Sequence, residues 1–220
     1  MNERSVYFFG GGSADGGRLL RDLLGGKGAH LAEMAKLGLA VPPGFTVTTE
    51  VCAEYSLSGT IPQTVRHQIG AALGRLEQIA GKRFGGPGEP LLLSVRSGAR
   101  VSMPGMMDTV LDLGLNDDTV KRLAETDRRF AYDCYRRFCA MFGGVVLGLG
   151  DEPFEDLLDQ RKRSRAATSD AELDAEDLAW LAAASKALIV SRTGEPLPAD
   201  PLGQLYRSKI RGDGFISVCA

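Results

Sequence analysis

The sequence predicts an α+β protein in two parts, a mixed α and β part to about residue 116 and a mainly helical part from residue 117 to about 195. Two observations predict it. Before residue 116, short apolar runs bounded by glycine and proline turns alternate with stretches of helical periodicity, and after it only helical periodicity remains. With 220 residues, 44% of them hydrophobic and 25% charged, the chain can bury one good core or two small ones. A formal net charge of -2 and a pI near 5.8 give no broad positive field, which excludes a sequence-independent grip on nucleic acid. Any anion must be held by a few local groups.

Val6-Tyr7-Phe8-Phe9 reads as a short strand, and Gly10 to Gly17 turns the chain back with Ser13, Ala14 and Asp15 at the tip. That apolar run is far too short for a signal-peptide core or a membrane span, so a cytoplasmic address and no membrane contact are expected. Ala29 to Leu37 reads as a helix with Leu31, Met34 and Ala35 at helical spacing, capped by Gly38 and ended by Pro42-Pro43. Phe45 to Thr48 reads as a strand, and Thr48 or Thr49 caps a helix from Glu50 towards Leu57. Thr60-Ile61-Pro62-Gln63 resembles a capping box with proline in the first turn. The helix it opens carries Val65, Ile69, Leu73 and Leu76 on one face and ends near Gly81. After the loop from Gly85 to Pro90, Leu91-Leu92-Leu93-Ser94-Val95 suits a buried strand.

In the second part, Ala131, Cys134, Tyr135, Phe138 and Phe142 are spaced for the buried face of one long helix. Asp174 and Asp177 open another, carrying Leu178, Leu181 and Leu188 inward. Asp159 to Ala171, charged and rich in small residues, reads as a solvated loop or frayed helix end. Residues 196–220 form a tail. The four cysteines, Cys52, Cys134, Cys139 and Cys219, are scattered with no Cys-x-x-Cys pair and read as reduced thiols.

Two segments carry chemistry. Gly25-Gly26-Lys27-Gly28 stands before a helix, where glycines let the backbone approach an anion, first-turn N–H groups point at it and Lys27 adds a mobile charge. An ordinary loop with a solvated lysine is the alternative, because the full P-loop pattern is absent. The second segment runs from Ser94 to Thr109. It places Arg96 just beyond a buried strand and follows it with Ser97, Gly98, Ser102, Met103, Gly105 and Thr109. A guanidinium there can meet two phosphate oxygens, or simply pair with a carboxylate while the methionines fill core. One lysine and one arginine segment in a single small domain match what phosphoryl transfer from a nucleoside triphosphate needs: cations that neutralise the migrating group and fix its path.

The stretches Leu24 to Met34, Val41 to Glu50, Ser94 to Thr109 with Leu113 to Asp117, and Arg129 to Phe138 closely resemble the N-terminal nucleotide-binding domain of pyruvate phosphate dikinase. The likeness runs from about Val6 to about Leu205. It implies a partial ATP-grasp-type domain with a helical subdomain. It also implies a reaction of ATP, phosphate and pyruvate giving AMP, pyrophosphate and phosphoenolpyruvate, with Mg2+ and a phosphohistidine on a separate swivelling domain. By resemblance, Lys27 clamps the triphosphate and Arg96 stabilises charge on the transferred group, while the Met103 to Thr109 loop lies beside the nucleotide. The cofactor-binding set is then Gly25, Gly26, Gly28, Ser97, Met103, Gly105 and Thr109, and the metal ligands are expected outside this chain.

After about Leu205 the sequence departs from the family, and Tyr206 to Ala220 reads as a foreign tail on a truncated chain. His30 and His67 sit in no phosphohistidine-like motif; His30 reads as a capping or packing residue and His67 as solvated. Asp108 and Asp112 follow the phosphate loop but read as caps or solvated acids rather than metal ligands. Three readings stay open: a catalytically incomplete dikinase portion that binds ATP, a non-catalytic nucleotide-binding or interaction fragment working with a full-length relative, and a helical domain with uncovered apolar surface.

Overall fold

The computed structural model describes residues 4–86, 88–98, 109–208 and 215–220. In chain order the elements are β1 (Val6–Gly10), β2 (Ser13–Ala14), α1 (Arg21–Lys36), β3 (Gly44–Val47), α2 (Thr49–Ser58), α3 (Gln63–Ala80), β4 (Leu93–Gly98) and β5 (Thr109–Leu113). They continue with α4 (Asp117–Ala124), α5 (Arg128–Met141), α6 (Glu152–Arg165), α7 (Ala175–Thr193), α8 (Pro201–Arg207) and β6 (Phe215–Cys219). Two compact units interleave along the chain, one of Met1–Phe84, Leu93–Thr109 and Lys209–Ala220, the other of Gly85–Leu92 and Val110–Ser208. The fold class is α+β.

In the first unit the strands run in the order β2-β1-β3-β6-β4, each paired antiparallel with its neighbour. All five residues of β1 are buried, because a helix covers each face of the sheet and side chains alternate between them. On one face Tyr7 packs with Leu24 and Ala29 of α1, and Phe9 packs with Ala32 and Ala35. On the other, the Arg75 guanidinium of α3 lies 3.9 Å from the Phe8 ring centroid, and the Gln68 side-chain oxygen accepts from the Ser5 and Val6 N–H groups. The inner stripe of α1 is therefore alanine, and Met34 faces out at 40% exposure. Small residues there let the helix axis come close to the sheet.

At two helix starts the side-chain cap that the sequence suggests does not form, although Thr48 holds the N-cap position of α2 as read. Thr48 is the N-cap of α2 without a side-chain cap bond; Thr49 instead donates its hydroxyl to the Asp22 carbonyl, tying α2 to α1. α3 begins at Gln63 with Pro62 as N-cap and no side-chain cap bond, so the Thr60 box does not form; Thr60 bonds Ser58 instead. The tail, to which the sequence reading gave no element, supplies β6, the strand between β3 and β4.

The second unit is helical. Asn116 and Thr119 form the capping box that opens α4. On α5, Ala131, Tyr135 and Phe138 are buried as expected and Cys134 only partly so; Phe142 is fully buried in the π-helical turn that follows. Of the two readings for Asp159 to Ala171, the structure follows the helix-end one as far as Arg165, which closes the second half of α6, and Ala166 onward leaves the helix. Its charges have a distant partner. Arg161 and Arg165 both reach the buried Asp177 carboxylate, at 2.7 Å and 3.0 Å, and Arg161 also stacks over Trp180 at 4.7 Å. Asp177 accepts from the Asp174 N–H while Asp174 accepts from the Asp177 N–H, completing the box that opens α7. Ile189 is the buried residue near the end of α7, with Leu188 only partly buried. Gln204 of α8 is buried and fully bonded, accepting from the Gly114 N–H and donating to the carbonyls of Leu115 and Pro198.

Replacing Asp177 by alanine leaves two facing guanidiniums without their shared acid and removes half of a capping box. Both arginines keep some water, so the cost is about 2–3 kcal/mol rather than the full penalty of a buried broken pair. Urea denaturation followed by far-ultraviolet circular dichroism should give that loss, with α6 melting first; wild-type stability would contradict the account.

Candidate phosphate-binding site

Lys27 owes its position to a break within α1. Gly25 takes φ 66° and ψ 168°, a non-helical conformation inside the helix that suits a residue without a Cβ. Leu24 before it and Ala29 after it are fully buried and fix both sides of the break. Gly26, Lys27 and Gly28 thus form the first turn after the break, the position in a helix where backbone N–H groups are most often left for other acceptors. The sequence reading placed the glycines ahead of the helix; here they sit inside it, with the same consequence for the backbone amides.

Gly28 is the contact between this turn and the sheet. A Cβ on it would stand 2.7 Å from Thr46 Oγ1 and 2.8 Å from Thr46 Cγ2, so only glycine lets α1 rest on β3 at this depth. Thr46 belongs to a row that crosses the sheet: Tyr7 pairs with Thr46, Thr46 with Ser217, and Ser217 with Arg96. Directly opposed residues in an antiparallel pair share a face. Arg96 therefore rises from the same face as α1, two strand spacings from Thr46.

The electrostatics agree with that placement. Partial burial, and then the nearby Arg96 charge, push the Lys27 ammonium below the usual lysine range. Among the described residues neither Lys27 nor Arg96 has an acid within ion-pair reach. Two like charges thus influence each other with no counter-charge among the described residues, an arrangement that an anion would relieve. Arg21, which sequence reasoning passed over, adds a third cation; its Nε is 3.8 Å from where a Gly26 Cβ would stand. Its signal was visible only as a basic residue one turn before the glycines.

The other expected residues fall differently. Ser97 takes the next register position on β4, opposite Ile216 rather than Ser217. Thr109 opens β5 and is partly buried. Met103 and Gly105, with Ser102 and Asp108, lie outside the described residues. His30 is exposed on α1, and His67 is exposed on α3 with Gln63 as its neighbour at 3.1 Å. Asp112, in the helical unit, has φ 58°, and burial raises its carboxyl against the opposing pull of Arg137. No group of three or more His, Cys, Asp or Glu that could hold a metal ion comes together among the described residues, and none of their helices is long and apolar enough to cross a membrane.

Residues 21–69, from α1 into α3, match the family described as pyruvate phosphate dikinase, AMP/ATP-binding domain. The chain is 50% identical over 205 residues to pyruvate, phosphate dikinase 1, chloroplastic, of Oryza sativa subsp. japonica, covering 92% of this chain and 22% of that protein. It is 52% identical over 204 residues to pyruvate, phosphate dikinase 2 of the same plant, covering 92% and 23%. Against pyruvate, phosphate dikinase of Rhizobium meliloti (strain 1021) it is 49% identical over 204 residues, covering 91% and 23%. The chain thus spans less than a quarter of the length of these curated relatives, and what it matches is an ATP-binding portion.

Gly28→Ala should lift α1 from β3 and displace Lys27, lowering ATP affinity about tenfold or more. Thr46→Ala added to it removes both clashing atoms and should restore part of that affinity. Titration calorimetry on the single and double variants checks this; a Gly28→Ala protein that binds like wild type would show that the seat is irrelevant to the site.

Proposed function

We propose that this chain, whose sequence belongs with the AMP/ATP-binding domain of the pyruvate phosphate dikinases, grips the triphosphate of ATP between Lys27 and Arg96 and forms one wall of a phosphoryl-transfer site. The observation that carries the reading is the uncompensated cation pair: Lys27 and Arg96 on one face of the sheet, near enough to disturb each other and without an acid partner among the described residues. A polyphosphate anion is the ligand that relieves such an arrangement.

In this reading Lys27 and the N–H groups of Gly26 and Gly28 hold phosphate oxygens, with Gly25 supplying the break that frees them. Arg96 stabilises charge on the phosphoryl group as it leaves. Met103, Gly105 and Thr109 are the residues that the family resemblance assigns to the adjoining nucleotide wall, while the register of Ser97 sets it on the alternate face of β4. Mg2+ enters as the counter-ion of the nucleotide rather than on ligands from the cation pair, which repels it. The whole reaction would be the dikinase one, ATP, phosphate and pyruvate to AMP, pyrophosphate and phosphoenolpyruvate, with the phosphohistidine and pyruvate sites on further domains as partners. The cytoplasm is the compartment this reading expects.

Lys27→Ala and Arg96→Ala should each weaken ATP binding by about 1.5–3 kcal/mol, on the order of 10- to 100-fold, as expected for a lost hydrogen bond to a charged group. Equilibrium dialysis or calorimetry with magnesium-ATP measures it, and unchanged affinity in both variants would remove the reading.

The pH dependence has a definite sign. In the free protein the Lys27 pKa is lowered, so raising the pH through that value neutralises it first in the unbound state. Bound phosphate favours the charged form, so binding takes up a proton above that point and affinity falls as pH rises. Lys27→Arg, which stays charged, should flatten the profile over the same range; a slope that survives in this variant would assign the effect elsewhere.

A further inference from the structure

The strand β6 lies between the strand beneath Lys27 and the strand that bears Arg96, and we infer that it is a positioning element for the phosphate site, setting the separation of the two cations. The inference rests on the phosphate reading above and assigns the C-terminal segment a part in it.

The register supports this directly. Thr46, the seat of Gly28, faces Ser217 on one side of β6, and Arg96 faces the same Ser217 on the other. Neighbouring strands are about 4.8 Å apart, so β6 holds the row position of Arg96 about 10 Å from that of Thr46. At a single spacing the guanidinium would rise directly beneath the Gly28 turn, against Lys27. Two spacings leave an interval that two long cationic side chains can close over one polyphosphate.

β6 also touches the helix that carries Lys27. Cys219 packs against the cluster of Phe9, Ala32 and Ala35 under α1, while the Ala220 N–H donates to the Pro43 carbonyl at 3.0 Å just before β3 begins. Val218 is completely buried, in register with Phe45 on β3 and Val95 on β4. The fit is close. A Cβ on Gly44 would stand 2.2 Å from the Val218 carbonyl oxygen, so β3 has no side chain where β6 passes. One strand thus bonds to both walls and packs under the helix, and moving it moves Arg96 relative to Lys27.

The test uses the full chain with two substitutions outside the cation pair, Gly44→Ala, which pushes on both the Val218 carbonyl and the Phe9 ring, and Val218→Ala, which loosens β6 alone from the opposite face. Inorganic tripolyphosphate is the probe, by calorimetry, alongside the titration of Lys27 followed by NMR of its ε-carbon. Both variants should lose affinity by about tenfold, and the Lys27 titration should move back up as Arg96 withdraws. Leu178→Ala in α7, in a core cluster that includes no residue of β6, serves as the stability control and should leave affinity and titration intact while the protein remains folded. Wild-type affinity and titration in the β6 variants, or an equal loss in the Leu178 control, would overturn the positioning role. Where Gly44→Ala fails to fold, Val218→Ala decides. If wild type and Lys27→Ala bind tripolyphosphate equally, the phosphate reading itself is lost and the inference with it.

Discussion

The closeness of α1 to the sheet governs the arrangement of this molecule's first unit. Alanines at positions 29, 32 and 35 and glycine at 28 strip the helix of bulk on its inner side, and Thr46 fills the space that a Cβ would need. Packing at this distance leaves little slack: interiors are near close-packed, and one added methyl group must move backbone. The position of Lys27 is therefore a property of the helix-sheet interface, one residue away, rather than of a free loop.

The same interface explains why the two cations tolerate each other. Repulsion between Lys27 and Arg96 opposes folding, and the opposing contribution comes from the apolar clusters beneath them, Tyr7 with Leu24 and Ala29, and Phe9 with Ala32 and Ala35. Each fully buried large side chain contributes about 1.5–3 kcal/mol, enough to hold a partly solvated like-charge pair in place. In the proposed reading a bound polyphosphate relieves that repulsion, the general form of a preorganised anion site.

Much of this was legible in the sequence. The glycine-lysine segment, the buried apolar run before Arg96 and the stripe of Val65, Ile69, Leu73 and Leu76 all depend on local pattern, and they stand in the structure as α1, β4 and α3. What was illegible depends on partners far along the chain. Asp159 to Arg165 left loop and helix end undecided by composition, and is an ordered helix end because Asp177 collects Arg161 and Arg165. Phe215 to Cys219 carries strand-favouring Phe, Ile and Val but no apolar-polar alternation, and becomes a strand because β3 and β4 offer two unfilled edges. The inner stripe of α1 was misleading in the opposite way: Leu31 and Met34 are the larger hydrophobes, but depth of packing favoured the alanines.

The central place of β6 also orders events in time. The partners Gly44 and Cys219 are far apart in sequence, so the sheet closes only once β6 has left the ribosome, after the helical unit, which ends at Ser208, is complete. Long-range strand pairing is slow compared with local helix formation. Until β6 inserts, β3 and β4 present bare edges flanked by Phe45 and Val95, an invitation to pair with other chains. The nascent protein thus passes through an interval of aggregation risk, and the insertion of β6 brings it to an end.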